Sequence, residues 1–323
     1  MNGLKEQILQ MLEMDIGKYV SGEKASKQLD ISRNMVWKYI GQLKNEGCVI
    51  ESGRKGYRLV SKRIAVSEYE IKKYLKIEDI RFEIYKCVSS TNTLLRQKAE
   101  GGAPEKTVVI ATSQTEGRGR RGRSFFSPSD SGIYMSVLLR PDIKISEAVL
   151  VTTCAAVAVC RAIEKISKKR ADIKWVNDIY LNGKKACGIL TEAALNVESG
   201  KPEYVVLGIG INLLSPKGGF PDEIKDIAAA VFDSEKMAEL YKNELIAEIL
   251  NFFFEDYSYI TKKPFFEEYR NRMFLRGKPV RVLSSPEYDA EVVDIDEDFC
   301  LIVRTQSGEE RKLNSGEVST CAY

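Results

Sequence analysis

The chain has 323 residues, 44% apolar and 29% charged, with 49 Lys and Arg against 46 Asp and Glu, the make-up of a globular protein of one to three domains rather than a disordered chain. It contains no histidine, which excludes serine–histidine triads and histidine-ligated zinc and leaves Lys, Arg, Asp, Glu, backbone amides or an oxygen-held metal for any chemistry. Seven cysteines, Cys48, Cys87, Cys154, Cys160, Cys187, Cys300 and Cys321, form no close CxxC pair, so reduced structural thiols are expected rather than a disulfide framework or a zinc site.

Residues 1–62 carry eleven Lys and Arg against seven Asp and Glu, a net of +4 in a chain whose total is +3, leaving −1 for the rest. This basic segment reads as a winged helix. Leu4, Ile8, Leu9 and Leu12 recur at helical spacing up to Gly17, a second helix fits 23–29, and Ser32 is placed to cap a third that runs to about Asn45 before Gly47. On the third helix Val36, Ile40 and Leu43 form an apolar stripe, leaving Arg33, Asn34, Lys38 and Gln42 outward. The hairpin that follows, 48–59, has Arg54 and Lys55 at its tip. Such a module puts Ser32, Arg33, Asn34 and Lys38 at bases or phosphates of a major groove and Arg54 and Lys55 on the flanking backbone, so operator DNA is the expected partner.

A linker is expected over 61–67, and the pattern then alternates between helix and strand. Helices are predicted at 67–75, 91–100, 145–168, 234–259 and 264–275, and strands at 81–88, 107–113, 132–140 and 204–213. Residues 173–192 read as two strands joined by Asn182-Gly183, a dipeptide suited to a type I′ turn. The longest apolar stretch, 148–163, is interrupted by Thr152, Thr153 and Arg161; it reads as too short and too polar to span a membrane. With no signal pattern at the N-terminus, a cytoplasmic protein without a membrane partner is expected. From 276 short strands at about ten-residue spacing suggest a small antiparallel barrel of SH3 type. The fold class is α+β, with expected domains at 1–62, 67–275 and 276–323.

The chemistry concentrates in four stretches. Residues 117–123 read GRGRRGR; guanidinium forks and close-approaching glycine amides suit an anion, and the loop is expected to be mobile when empty. Taken alone it fits a solvated basic loop or an RNA-binding tail equally well. Ser89-Ser90-Thr91-Asn92 opens a helix, where free amides and hydroxyls suit a polar head group or serve only as a cap. Lys174-Trp175-Val176-Asn177-Asp178 with Lys184-Lys185 offers cations and one metal-binding carboxylate, and GIGIN at 208–212 puts the single amide Asn212 among apolar residues. This inventory fits nucleotidyl transfer to a carboxylate, in which the protein aligns an existing anion with the α-phosphate and stabilises developing charge.

These stretches together, SSTN, Gln114 before GRGRRGR, FFSP, GIYMSV, KWVNDIYL, KKACGILTE and GIGIN, resemble the bifunctional biotin protein ligases that also repress the biotin operon. The winged helix and barrel complete that family's domain order. The resemblance implies ATP and Mg²⁺ as cofactors, biotin as substrate, biotinyl-5′-AMP as corepressor, transfer to a lysine of a biotin carboxyl carrier protein, and a homodimer when the adenylate is bound. It places Ser90, Thr91, Asn92, Gln114, Arg118, Gly119, Arg120 and Lys185 at biotin or its adenylate. Arg121, Phe125, Lys174, Asn177 and Asn212 fall to the nucleotide, Asp178 to the metal, and Arg118, Arg120, Lys185 and Asp178 to catalysis. Strands 132–140 and 204–213 are the candidate edges for a sheet shared across the dimer. Two positions depart from the family pattern: Val176 stands where proline is usual, and Phe125 where tryptophan is common. A lipoate ligase, or a biotin-sensing repressor without ligation, is the alternative.

Overall fold

The N-terminal apolar periodicity folds as three helices, α1 (Leu4–Met14), α2 (Gly22–Leu29) and α3 (Arg33–Asn45), followed by the hairpin β1 (Cys48–Gly53) and β2 (Gly56–Lys62). This computed structural model describes residues 3–320 except 16, 46–47, 63–64, 197 and 315–317; Gly47, the expected helix stop, and Cys321 lie outside the described residues. Ser32 caps α3 by accepting from Met35 N at 3.2 Å. Ile8, Leu12, Val36, Ile40, Leu43, Ile50 and Leu59 close a core separate from that of the rest of the chain. Part of the expected linker is strand, since β2 runs to Lys62.

The middle of the chain adds α4 (Glu68–Lys72), β3 (Arg81–Tyr85), α5 (Thr91–Glu100), β4 (Thr107–Ala111), β5 (Gly132–Leu139) and α6 (Val149–Ser167). Then come β6 (Asp172–Lys174), β7 (Asp178–Leu181), β8 (Lys184–Leu195), β9 (Pro202–Asn212), α7 (Glu235–Tyr257) and α8 (Phe266–Arg272). Seven strands form one sheet in the order β3-β4-β5-β9-β8-β7-β6. Only β3 and β4 pair in parallel. The stretch expected to hold two strands holds three, because the backbone turns at 175–177 between β6 and β7. The Asn182-Gly183 turn has φ 50° and 79° at its two residues, the positive pair a type I′ turn needs.

Two sequence expectations are corrected. Strands β5 and β9 are not edges: they pair with each other from Gly132↔Asn212 to Leu139↔Val205, and β4 and β8 occupy their outer sides. Strand order is a long-range property that local periodicity does not encode. The helix expected at 145–168 forms as a 3₁₀ turn at Ile145–Glu147 followed by α6 to Ser167, and the reading of its apolar stretch as too short and too polar to span a membrane is the second correction. By length and composition Ile145–Ser167 is apolar enough to cross a membrane. In this fold it is the core helix, with Val151, Cys154, Val157 and Ile163 fully buried against the sheet and α7.

Helix α6 is held at its far end by an ion network. Arg272 reaches Glu164 at 2.7 Å and Glu268 at 2.8 Å, and Arg161 reaches Asp256 at 2.8 Å and Glu268 at 2.6 Å, joining α6, α7 and α8. Burial pushes the Glu164 and Glu268 carboxyls up, but hydrogen bonds and charge attraction from the neighbouring arginines, with the Ala171 amide on Glu164, together outweigh it and hold both below the usual carboxylate range. Carboxyls depressed in the folded state stabilise it above their unfolded pKa, and that contribution fades as pH falls through the folded value. Arg272→Met is therefore expected to destabilise the chain by about 2–3 kcal/mol near neutral pH. Thermal melts should show the deficit shrinking as pH falls into the acid range, where the stranded carboxyls, pushed up by burial, take up protons.

The C-terminal strands β10 (Pro279–Val282), β11 (Tyr288–Ile295), β12 (Leu301–Thr305), β13 (Glu310–Leu313) and β14 (Val318–Thr320) form a five-stranded antiparallel sheet, ordered β13-β12-β11-β10-β14. The last strand was not legible in the sequence. Val280, Val292, Phe299 and Leu301 pack into the same core as the seven-stranded sheet. Trp175 Nε1 donates to Phe299 O at 2.8 Å, so residue 276 divides two sheets but not two cores.

Candidate active site

Alternation along the strands decides where the cavity lies. Side chains on successive strand residues point to opposite faces. In β5, Ile133, Met135, Val137 and Leu139 join the helix-covered core, as do Val205, Leu207, Ile209 and Ile211 of β9. The other face receives Tyr134 and Ser136 of β5, Gly208 and Gly210 of β9, and Gly188 and Leu190 of β8. Register aligns these in two rows, Gly188–Gly210–Tyr134 and Leu190–Gly208–Ser136. Missing side chains at three of the six positions leave a hollow of about 190 Å³.

Each row carries one side chain from outside the sheet. Phe125 lies over the first row: a Cβ on Gly210 would sit 2.7 Å from its ring, and one on Gly188 would sit 3.1 Å from it. The ring meets Tyr134 edge-on at 6.3 Å between centroids, and the Lys185 ammonium stands 5.9 Å from its centre. Asn92 lies over the second row, where a Cβ on Gly208 would sit 2.2 Å from its Oδ1. Ser136 Oγ is 2.6 Å from that oxygen and 2.8 Å from Thr91 Oγ1. Both hydrogens of the Asn92 amide are used, on Leu190 O at 3.2 Å and Glu192 Oε2 at 2.8 Å.

The arginine loop forms the roof. It has its own closure, a short hairpin with Gly119 N donating to Arg123 O at 2.7 Å and Phe125 N to Gly117 O at 2.8 Å. Its tip turns at Arg121 (φ 54°) and Gly122 (φ 74°). Gln114 links the hairpin base to α5: its Oε1 accepts from Thr91 N at 2.8 Å and its Nε2 donates to Ser127 Oγ at 3.0 Å. Ser90 caps α5 by accepting from Thr93 N at 3.5 Å.

Three of the cations expected to meet a ligand have internal partners here. Arg118 pairs with Glu192 at 3.0 Å, Lys185 with Asp178 at 2.8 Å, and Arg120 donates to Asn177 Oδ1 at 3.1 Å. The Asp178 contact is electrostatic only, because Oδ1 is buried and accepts no hydrogen bond. Asn177 is clasped to β8, its Nδ2 donating to Ile189 O at 2.7 Å. Burial pushes the neighbouring Tyr180 phenol up to about 12 and the Cys187 thiol up as well, so both stay protonated near neutral pH.

The cavity thus collects Ser90, Thr91, Asn92, Gln114, Arg118, Gly119, Arg120 and Lys185 with Phe125, Lys174, Asn177 and Asp178. Two expected members lie elsewhere. Arg121 is exposed at the hairpin tip, and the Asn212 amide donates to Ala229 O at 3.1 Å, beyond the lining. Val318, which brings the C-terminal sheet to the cavity wall, carried no signal in the sequence, and Tyr134, Arg123 and the floor glycines lay in motifs without a role of their own. The glycine alternation in GIGIN was the available signal. On the winged helix Ser32, Arg33, Asn34 and Lys38 of α3 and Arg54 and Lys55 of the hairpin tip are all exposed. Lys44 Nζ donates to Ser52 Oγ at 3.0 Å, tying α3 to the hairpin.

A cavity on a bare sheet face, roofed by arginines, in a chain that also carries a winged helix, is the arrangement of a protein ligase of the biotin and lipoate type with a DNA-binding module. Residues 84–212 match the Biotin/lipoate A/B protein ligase family, 5–58 an HTH domain, and 276–320 the Biotin protein ligase C terminal domain. The chain is 37% identical over 324 residues to the bifunctional ligase/repressor BirA of Bacillus spizizenii, covering 98% of both chains. It is 41% identical over 231 residues to that of Bacillus subtilis, covering 71% of this chain and 70% of the relative. The solved biotin protein ligase of Aquifex aeolicus in complex with biotin and ATP superposes with a TM-score of 0.60 at 27% identity, covering 74% of this chain and 97% of that one. The chain belongs to the biotin protein ligase family.

Proposed function

We propose that the chain activates biotin with ATP, transfers it to a lysine of a carboxylase's biotin carrier domain, and represses biotin genes when the adenylate is held. The observation that carries the ligase reading is the charge of the cavity wall. Arg118, Arg120, Arg123, Lys174 and Lys185 line it against a single carboxylate, Asp178, a field suited to a substrate that brings both a carboxylate and phosphates.

The biotin head group lies against Ser90, Thr91 and Gln114, with Asn92 shaping the wall, and the valeryl carboxylate faces Arg118, Arg120 and Lys185. A carboxylate oxygen attacks the α-phosphorus, the bond to the β-phosphate oxygen breaks, and pyrophosphate leaves. Phe125 offers the adenine an apolar face. In the second half the carrier lysine amine attacks the anhydride carbonyl, AMP leaves, and Asp178 is placed to take the amine proton. Among the described residues no three His, Cys, Asp or Glu side chains are grouped to cage a metal. Asp178, whose buried Oδ1 meets only the Lys185 ammonium, is the carboxylate that would hold a Mg²⁺ together with substrate phosphates. When bound, the ion neutralises phosphate charge. Mixing the full chain with biotin, ATP and an apo carrier domain should add one biotinyl group to the carrier by mass spectrometry; an unmodified carrier contradicts the reading.

Repression requires two winged helices, since one offers few phosphate contacts and operators of this class are two-fold. The edge for a dimer is in β8. Its Lys184–Gly188 portion pairs with β7 while β9 follows it to Leu195, so among the described residues 191–195 has a ladder on one side only, and Leu195 is half exposed. A two-fold axis there extends the sheet and leaves the carrier domain to compete for the same surface. The adenylate acts as corepressor by binding the dimer-competent form more tightly. Sedimentation should show the mass doubling with biotin plus ATP, and deletion of residues 1–62 should abolish operator binding while sparing ligation. An unchanged mass rejects the ligand-driven dimer. A protein acting on ATP, a carrier domain and operator DNA works in the cytoplasm.

A further inference from the structure

We propose that Glu192 of β8 is a positioning residue, a single carboxylate that fixes both the arginine hairpin and the Asn92 amide. It is not among the residues lining the cavity, yet each of its oxygens holds one that is. Its Oε1 lies 3.0 Å from Arg118 Nη1, and its Oε2 accepts from Asn92 Nδ2 at 2.8 Å. These two partners come from separate elements, the hairpin and α5.

On the Asn92 side the carboxylate sets which way the amide points. With Nδ2 on Glu192 and Leu190 O, Oδ1 is left toward Ser136 Oγ at 2.6 Å. Turning the amide over would bring its oxygen against a carboxylate and a carbonyl, two acceptors with no proton between them. On the Arg118 side the bond is charge-assisted. The hairpin is held at Arg118 through Glu192 and at Arg120 through Asn177, so Glu192 makes one of two side-chain fastenings on its first arm. A hairpin fixed in advance does not have to be ordered by the substrate. Loss of the pin adds that entropy to binding, equally in ground and transition states, and raises KM without lowering kcat.

This inference rests on the acid-activating reading of the cavity, and its test separates the two. In the full chain, Glu192→Gln keeps the shape and an acceptor for Asn92 but removes the charge from Arg118. In biotin-dependent ATP–pyrophosphate exchange it should raise KM for biotin about tenfold with kcat within about twofold, and adding it to Arg118→Gln should change KM by less than about twofold, because the pin is already gone. An unchanged KM, a kcat that falls as far as KM rises, or additive effects in the double variant would overturn the proposal. Hydrogen exchange over 117–125 without ligand reads the pin independently of catalysis: Glu192→Gln should exchange faster there, and equal protection would also overturn it. A wild type that performs no exchange with biotin while Glu192→Gln still loosens the hairpin would contradict the ligase reading and leave the pin standing.

Discussion

Lys185→Ala and Arg120→Ala are each expected to slow carrier biotinylation by about 2–4 kcal/mol of transition-state stabilisation, roughly 30- to 900-fold. Lys185 stands between the buried Asp178 oxygen and the Phe125 ring. Its removal takes a cation from the reacting carboxylate and leaves Asp178 without its counter-ion. Arg120 spans the hairpin and the 175–177 turn through Asn177, so its loss removes a charge and a fastening at once. Both losses fall on charge that grows along the reaction and should appear mainly in kcat. Melting temperatures near wild type would show that the fold is intact, and wild-type rates in both variants would remove these residues from the chemistry.

The floor glycines supply the second large effect. Gly208→Ala would place a Cβ 2.2 Å from Asn92 Oδ1, and Asn92 is buried and bonded on every side, so the clash cannot be relieved by a rotamer change. Overpacking of this kind costs about 1–3 kcal/mol of stability, and biotin affinity should fall because the Thr91–Asn92 wall moves. Gly210→Ala meets the edge of the Phe125 ring at 2.7 Å instead. That ring belongs to the hairpin and can swing outward, so stability should change less while KM for ATP rises. Melting curves and substrate titrations on the two variants separate the cases; equal, small effects from both would mean that the floor has more room than its register implies.

How far the sequence reaches follows from which interactions are local. Helical periodicity located α1, periodicity with a cap α3, a run of cap residues the start of α5, and Asn182-Gly183 the β7–β8 turn, because each depends on neighbours in the chain. Twelve of the residues expected at the ligand come together at one cavity, through motifs that sit at strand and helix ends. What was not legible is long-range. The turn at 175–177 and strand β14 are short, and the edge status of β5 and β9 depends on pairing across dozens of residues. GIGIN showed its alternation openly, yet its purpose appears only when Gly188 and Gly210 fall in one row beneath Phe125. Glu192 reads in the sequence as one more strand carboxylate; its role comes from Arg118 and Asn92, far from it along the chain.

The edge proposed for a dimer shows the same limit from another side. Unpaired backbone is visible only once register is known, and β8 outruns β7 beyond Gly188.

The most direct measurement of the central claim is ATP–pyrophosphate exchange by the full chain, run with biotin and separately with lipoate. The cavity built from the α5 start, the arginine hairpin and Lys185 predicts exchange with biotin and none above background with lipoate. Exchange driven by lipoate, or none with either acid, would contradict it.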